Sequence, residues 1–492
     1  MDAWPRHPLV YEVNTWVRLG ELSHQAGRPL TLAEIPQAEL EHWAELGFDG
    51  VWLMGVWSRS PAAREVARHH PDLQPGYHRA LDDFQPTDVQ ASPYAIQDYR
   101  VDPALGGDGA LAQLRQRLCQ VGLRLILDFV PNHLALDHAW VTNHPHWLVK
   151  ASGDARQSHP QRYFQAGGHW LAHGRDPYFP PWTDTVQVDY RRPGARRAMA
   201  DTLLSVAERC DGVRCDMAML VNRGIFTRTW GGAFDPPWAE FWPAVITDLR
   251  AHFPDFLLMA EVYWDLEWDL QQMGFDYCYD KRLYDRLRNG SPWPVRLHLQ
   301  AHRDYQSRLV RFLENHDEER ALEVFGPDRG RACAVLTLTL PGLRLIHEGQ
   351  RRGWRRKLPV QLSRRQWEPS EPGLEGFYHR LLTTLAEPVF HQGDWRLLES
   401  RPAGPDNHSH SAILAHAWRL EGERRLAVVN LSGHWSQCRL PLGFLAPQGR
   451  IWRLDDLLDP GHGYQRDGDR LATPGLYLDL PPFGHHLFSL IP

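Results

Sequence analysis

The chain has 492 residues and a formal net charge of −6 from 54 basic and 60 acidic side chains. That length suits two or three domains, and the balance gives no reason to expect nucleic acid or an anionic membrane as a general partner. No apolar run approaches the ~20 residues of a membrane-spanning helix, and MDAWPRHPLVYEV at the start has no basic segment ahead of an apolar core, so neither a membrane partner nor a secretion signal is expected. Six cysteines (Cys119, Cys210, Cys215, Cys278, Cys333 and Cys438) lie scattered without CxxC spacing. They point to free thiols in a reducing compartment, with cytoplasmic residence as the expectation. Oligomeric state cannot be read from the sequence.

Along the chain, short runs rich in Val, Ile, Leu and Phe alternate with stretches of helical period, the pattern of βα units around a parallel sheet. Strands are predicted at LVYEVNTW (9–16), DGVWLM (49–54), LRLILDFV (123–130) and DGVRCDMA (211–218), then at 256–263, 275–280, 308–315 and 342–349. Helices are predicted over 31–46, 109–120, 194–210, 238–253 and 331–340, with Asp108 as N-cap of the second. Eight strands alternating with helices are what a (β/α)8 barrel requires. Two connections are too long for plain loops, 55–108 and 134–193, and the second reads as an inserted domain after strand 3. From about residue 395 the pattern turns to alternating strands such as SAILAHAWRL and RRLAVVNLS, an antiparallel β-sandwich. The reading is therefore an α/β chain: barrel over 1–133 and 194–394, insertion over 134–193, C-terminal β domain over 395–492.

Catalytic groups of such a barrel sit at the C-terminal ends of its strands. Those ends carry Asp128, Asn132 and His133 (DFVPNH), Arg214 and Asp216 (GVRCD), Glu261 (AEVYW), and His316 and Asp317 (ENHD). Arg214 and Asp216, two apart in an extended chain, share one face. Alone, each of these residues reads as a salt bridge or a solvated loop group; together they gather carboxylates and histidines at one end of four strands.

DFVPNH, GVRCD, AEVYW and ENHD, in this order and spacing, resemble the sequence regions of the α-amylase family of retaining glycoside hydrolases and transglycosidases. QVDY (187–190) looks like that family's fifth region, and SPYAIQDYRVDPALGG (92–107) is similar to the stretch that supplies a stacking tyrosine. The resemblance implies Asp216 as nucleophile, Glu261 as general acid/base and Asp317 as transition-state stabiliser. It implies Tyr94 stacked on the sugar, His133 and His316 on its hydroxyls, Asp128 organising the site, and Arg214 keeping Asp216 ionised at low pKa. Glu261 would need a dry site, with Val262, Tyr263 and Trp264 to provide it. A calcium ion is implied only through Asn132, and no cofactor is otherwise required. The reading is an enzyme acting on an α-glucan, a maltooligosaccharide or a short α-glucoside; the alternative is a non-catalytic sugar-binding relative.

Two features depart from the family pattern. Where many endo-acting members follow the nucleophile with Lys-His, this chain has Met219 and Leu220, which favours exo-action or transfer to an acceptor. GQRRGWRRKLPVQLSRR (349–365) carries seven basic residues after the eighth strand. A solvated basic loop is the plain reading, and a site for a sugar phosphate or inorganic phosphate the sharper one.

Overall fold

A computed structural model describes residues 3–232, 239–446 and 448–492. Its centre is a closed parallel barrel of β1 (Leu9–Asn14), β2 (Gly50–Met54), β3 (Arg124–Phe129), β4 (Gly212–Cys215), β5 (Leu257–Ala260), β6 (Tyr277–Tyr279), β7 (Leu309–Arg311) and β8 (Leu343–His347). Each strand pairs with its neighbours in sequence, and β8 closes on β1. These strands read as continuous apolar runs because both faces are covered, by the barrel interior on one side and by helices on the other. Their few charged members, such as Glu12 and Arg214, are buried with the rest.

All eight predicted strands are present, shorter at their ends than the apolar runs. The expected helices appear as Gln37–Glu45, Gly107–Gln120, Pro193–Ala207, Phe241–His252 and Pro327–Leu338. The fourth was expected from Trp238, which lies outside the described residues. Asp108 is not an N-cap: that helix starts one residue earlier, behind Gly106, and the Asp108 carboxylate accepts the Val101 N–H (3.2 Å). The helix Thr15–Ala26 was not predicted. Asn14 ends β1 by turning its side-chain oxygen onto the Val17 N–H, so the chain becomes helical just where Thr15 and Trp16 suggested more strand.

Both long connections hold structure of their own. Between β2 and Gly107, an antiparallel pair (Trp57–Arg59 with Ile96–Val101) frames two short helices, Pro61–His69 and Gln74–Ala80. The first is capped by Ser60, whose hydroxyl accepts the Ala63 N–H, and has proline at its first position. After β3, His133–Ala135 pairs with Thr185–Gln187, and Tyr163–Ala166 with His169–Ala172. The C-terminal part, from Asp394, packs a six-stranded antiparallel sheet on a three-stranded one. Alternation divides its long strands: Ile413, Ala415 and Ala417 face the sandwich interior, while Leu414 and Trp418 join the barrel core. The Trp418 indole N–H and the His416 ring both bond Thr339 at the C-terminal end of the helix Pro327–Leu338, tying the domains together.

Candidate active site

Four strand ends bring five charged groups to one spot. Arg214 on β4 stands beside Asp128 on β3; Asp216 follows β4 directly, Glu261 follows β5, and Asp317 lies on the loop after β7. Arg214 is fully buried. Its Nη1 donates to Asp216 Oδ1 (2.8 Å) and stands 3.6 Å from Asp128 Oδ1, while Nη2 reaches Glu261 Oε2 (2.8 Å) and Asp317 Oδ2 (3.8 Å). The guanidinium also lies 4.9 Å from the centre of the Tyr94 ring and 5.4 Å from that of Trp52. Its planar fork explains why arginine is used: adjacent nitrogens grip two carboxyls at once, which a lysine cannot do.

The surroundings of the carboxyls differ. Burial pushes Asp216 up, with the charges of Glu261 and Asp317 adding to it and Arg214 opposing, so that its carboxyl stands at about 8. That corrects the expectation that Arg214 keeps Asp216 low: one guanidinium divided among several carboxyls does not offset complete burial. Three donors converge on Glu261: Arg214, the Met217 N–H (2.7 Å) and the Tyr263 O–H (2.7 Å). Burial raises Asp128 as well, to about 6, and its Oδ2 accepts the Gly55 N–H (3.3 Å). Gly55 has φ +81°, and a Cβ there would lie 2.9 Å from Pro93, so only glycine brings this N–H to the carboxylate.

Asp317 has 43 % of its side chain exposed, facing the cleft. Burial would raise its pKa, but the His316 ring beside it (Nε2 to Oδ2, 2.9 Å) outweighs that and holds it well below the usual carboxylate range. His316 in turn lies between two carboxylates. Burial disfavours its charged form, yet Asp317 and Glu12 (Nδ1 to Oε1, 2.5 Å) together raise it to about 10. Tyr94 stacks on His316 at 5.4 Å, and its hydroxyl sits 2.7 Å from Nε2. His133 is buried against Trp182, and burial lowers it to about 4, a neutral ring.

All eight sequence-predicted catalytic and sugar-binding residues thus lie at the same end of the barrel. Glu12 was missed. It stands in β1 beside Trp52 and His347, and the signal was present: a lone carboxylate inside an apolar strand, the same anomaly that singled out Arg214.

Asn132 does not offer a calcium cage. Its side-chain and main-chain oxygens both accept from the Gln187 amide nitrogen (3.0 and 2.8 Å), which also reaches the Val188 carbonyl (3.1 Å). An N–H donor takes the place among those oxygens that a cation needs, and hard cations ask for six or more oxygens. Among the described residues no group of three or more His, Cys, Asp or Glu is placed to hold a metal.

The two sides of the centre are unlike. On the side of Glu261, a cavity of about 1170 Å³ opens, lined by Met217, Tyr263, Trp264, Trp182 and Phe179 among others. Two of the five non-glycine residues with positive φ among those described border it, Met217 (+42°) and Trp264 (+63°). Met219 and Leu220, by contrast, are buried in the core. On the side of His316 only about 40 Å³ remains, among Trp354, Lys357 and Leu358. There the segment after β8 folds onto the first long connection, 55–108: Leu362 and Leu358 join Tyr77, Ala80 and Leu81 in one apolar cluster, and the Gln90 N–H donates to the Gln361 carbonyl (2.7 Å). Gly349 makes that turn possible, since a Cβ on it would lie 1.8 Å from Trp354.

The seven cations of this segment do not form an anion site. Arg364 pairs with Asp83 and Asp88, Arg356 with Asp82, Arg365 with Glu21, Arg352 with Glu375, Arg355 with Glu323 and Glu371, and Lys357 with Glu319. Arg351 reaches His42. The plain reading of a basic loop holds, with carboxylates in the place of water.

Known proteins are similar to this chain in sequence and in fold. Residues 37–283, half of the chain, match the model of the alpha amylase catalytic domain. The alpha-amylase MalA of Haloarcula japonica is 22% identical over 90% of this chain, which spans 58% of that protein's length. Alpha-amylase 3 of Dictyoglomus thermophilum is 21% identical over 74% of this chain and 67% of its own. The fold is that of the maltogenic alpha-amylase AmyB of Thermotoga neapolitana, with TM-score 0.69, 18% identity and 99% of each chain covered. It is also that of the Geobacillus thermoleovorans alpha-amylase solved with acarbose, with TM-score 0.67, 18% identity and all of both chains covered. The chain belongs to the alpha-amylase family.

Proposed function

We propose that the protein is a retaining α-glycosidase that removes short glycosyl units from the non-reducing ends of α-glucans and small α-glucosides. The observation that carries this reading is the single buried guanidinium gripping Asp216 and Glu261 through adjacent nitrogens, with Asp317 3.8 Å away. Carboxyls held that close suit the retaining pair, about 5 Å apart, rather than the wider spacing that admits a water between them.

Asp216 attacks the anomeric carbon while Glu261 gives a proton to the departing oxygen; Glu261 then takes a proton from the water or sugar hydroxyl that releases the glycosyl group. The pair must hold one proton in total. Attack needs that proton on Glu261 and an ionised Asp216; burial opposes the charge on Asp216, and Arg214, which touches both groups, favours it. Asp317, ionised and facing the cleft, stabilises the oxocarbenium-like transition state.

Exo-action follows from which side is open. The leaving group must lie toward the acid, where the large cavity begins at Tyr263 and Trp264. The glycone points the other way, into about 40 Å³, far below the ~300 Å³ at which ligand pockets begin. A long glycan chain has no path there. Water or a second sugar in the open cavity decides between hydrolysis and transfer.

The test is product analysis on maltooligosaccharides, glycogen, trehalose, sucrose and α-1,6-glucosides, with and without phosphate, for the wild type and Asp216→Asn. The expected result is release or transfer of units from chain ends, indifferent to phosphate, falling by several orders of magnitude in the variant. Early products from chain interiors would remove the exo reading; undiminished activity in the variant would remove the mechanism.

A further inference from the structure

We propose that Glu12 is a positioning residue for the reaction: it holds His316 as a doubly protonated ring whose Nε2–H faces Asp317, fixing that carboxylate in place and ionised. The inference rests on the mechanism above but concerns a residue outside its three carboxyls.

The geometry leaves His316 no other role. Glu12 Oε1 lies 2.5 Å from Nδ1 and also accepts the His316 main-chain N–H (3.3 Å), so ring and backbone are anchored by one oxygen. Asp317 Oδ2 lies 2.9 Å from the opposite nitrogen. A carboxylate is an acceptor only, and a neutral imidazole carries a single N–H. With a carboxylate beside each nitrogen the charged ring satisfies both, with the Tyr94 hydroxyl (2.7 Å from Nε2) as a further acceptor; a neutral ring would keep its one N–H on Glu12 and take the Tyr94 O–H at Nε2, and the two are told apart below. Trp52 closes one side of the ring edge-on at 5.4 Å, and Tyr94 stacks on it, so the ring cannot turn to find other partners.

Glu12 is suited to this by its own isolation. It is 1% exposed, and its second oxygen, Oε2, has no hydrogen-bond partner. Burial opposes its charge, but His347 and His316 outweigh that and keep it ionised. The other charged or titratable groups facing His316 are Asp128 and Arg214 on β3 and β4, His347 and Glu348 at the end of β8, Tyr94 on the connection after β2, and Arg320, Arg356 and Lys357 beyond β7 and β8. Arg214 and Lys357 are cations and oppose a charge on the ring. Asp317 is half open to the cleft, where arriving substrate disturbs it. Glu12 is the buried, permanent counter-charge that keeps His316 protonated while Asp317 changes partner from His316 to the sugar.

Glu12→Gln keeps the shape and an acceptor oxygen but removes the charge. The full chain, labelled with ¹⁵N-histidine, gives the protonation of the ring directly, with the His316 signals assigned by their loss in His316→Gln. Both ring nitrogens of the wild type are expected protonated at pH 8.5, and one deprotonated in Glu12→Gln. The alkaline limb of kcat/KM should shift to lower pH by on the order of one unit, toward the ordinary histidine range, with Glu12→Asp partly restoring it. Identical titration of His316 in wild type and Glu12→Gln would overturn the proposal. So would a superimposable pH profile with only a lower melting temperature, which marks a purely structural residue. If Glu12→Gln does not fold, a neutral His316 in the wild type at pH 8.5 overturns it alone, and an imidazolium that Glu12→Asp leaves less basic supports it. The spectra need no substrate, so failure of the glycosidase reading and failure of this inference are told apart.

Discussion

Arg214 and Arg344 are both fully buried in barrel strands, and they do opposite things. Arg344 is the second residue of β8, at the end where strands begin, beside Leu9. It donates to the main-chain oxygens of His7, Leu340 and Phe390, and burial lowers it to about 10. Arg214 stands at the other end among four carboxyls. One guanidinium is satisfied by neutral acceptors and closes the barrel floor. The other is outnumbered, and the charges of Glu261 and Asp317 add to burial in pushing the Asp216 carboxyl up. A functional centre is marked here by imbalance rather than by burial or by charge alone. The basic segment 351–365 makes the same point from outside: dense in charge, with six of its seven cations paired to carboxylates.

The sharpest way to break that comparison is to alter each arginine. Arg214→Lys places one point charge where two carboxyls need a fork, leaving a buried carboxylate without its partner. Activity is expected to fall by about 10²-fold or more, roughly 3 kcal/mol of lost stabilisation. Arg344→Met fills similar volume but orphans three carbonyl oxygens at a cost of about 1–3 kcal/mol each before relaxation. Thermal melting should drop by several degrees with kcat unchanged in the protein that remains folded. Steady-state kinetics and melting curves on both variants decide it: lost activity in Arg344→Met with native stability, or full activity in Arg214→Lys, would undo the division.

A smaller effect follows from the proton on Asp216. Its folded-state pKa, about 8, lies above the ordinary 3.8, so the unfolded chain loses this proton first. Stability from this group is full below pH 3.8, declines as pH rises, and levels off above pH 8. His316, raised to about 10 from 6.5, contributes stability that is full below pH 6.5 and lost as pH climbs through 10. Both slopes run downward on the alkaline side. Asp216→Asn removes the first, so it should melt higher than the wild type by a few degrees, with a larger gain at pH 9 than at pH 5. Equal gains at the two pH values would place the proton elsewhere.

The same comparison shows what was legible in the sequence. Closed-barrel strands must be apolar on both faces, so all eight declared themselves, and any charge inside one was conspicuous; Arg214 was found that way. Asp216, Glu261 and Asp317 stood at strand ends in recognisable surroundings. Neighbour relations were not legible. That Glu12 meets His316, 304 residues away, is set by β1 closing beside β8, and nothing local announces it. The pKa of Asp216 was misjudged because the sequence showed its one cation and not the carboxyls that share it. Arg356, Arg364 and Arg365 looked free because their partners, Asp82, Asp83, Asp88 and Glu21, come from segments far away in sequence. The helix Thr15–Ala26 was hidden by β-branched and aromatic residues at its start, where the Asn14 cap overrode their strand preference.

The smallest expected effect concerns the open side. Trp264 and Asp265 both hold left-handed backbone, which costs a non-glycine residue of order 1–3 kcal/mol and persists only where surroundings enforce it. Here Asp265 pairs with Arg282, and the Trp264 ring meets Tyr178 edge-on at 4.9 Å. The enforced conformation sets an indole beside Glu261, where the leaving sugar departs and an acceptor enters. Trp264→Ala should therefore weaken the acceptor side alone. The loss of one aromatic contact, about 1 kcal/mol, corresponds to roughly fivefold in KM for the longer maltooligosaccharides and in the share of transfer over hydrolysis. Cleavage of a small aryl α-glucoside with a good leaving group, which depends little on that side, should change by less. Equal losses on long and short substrates would mean that Trp264 supports the Glu261 loop as a whole, and the strain at 264–265 would then serve the acid rather than the acceptor.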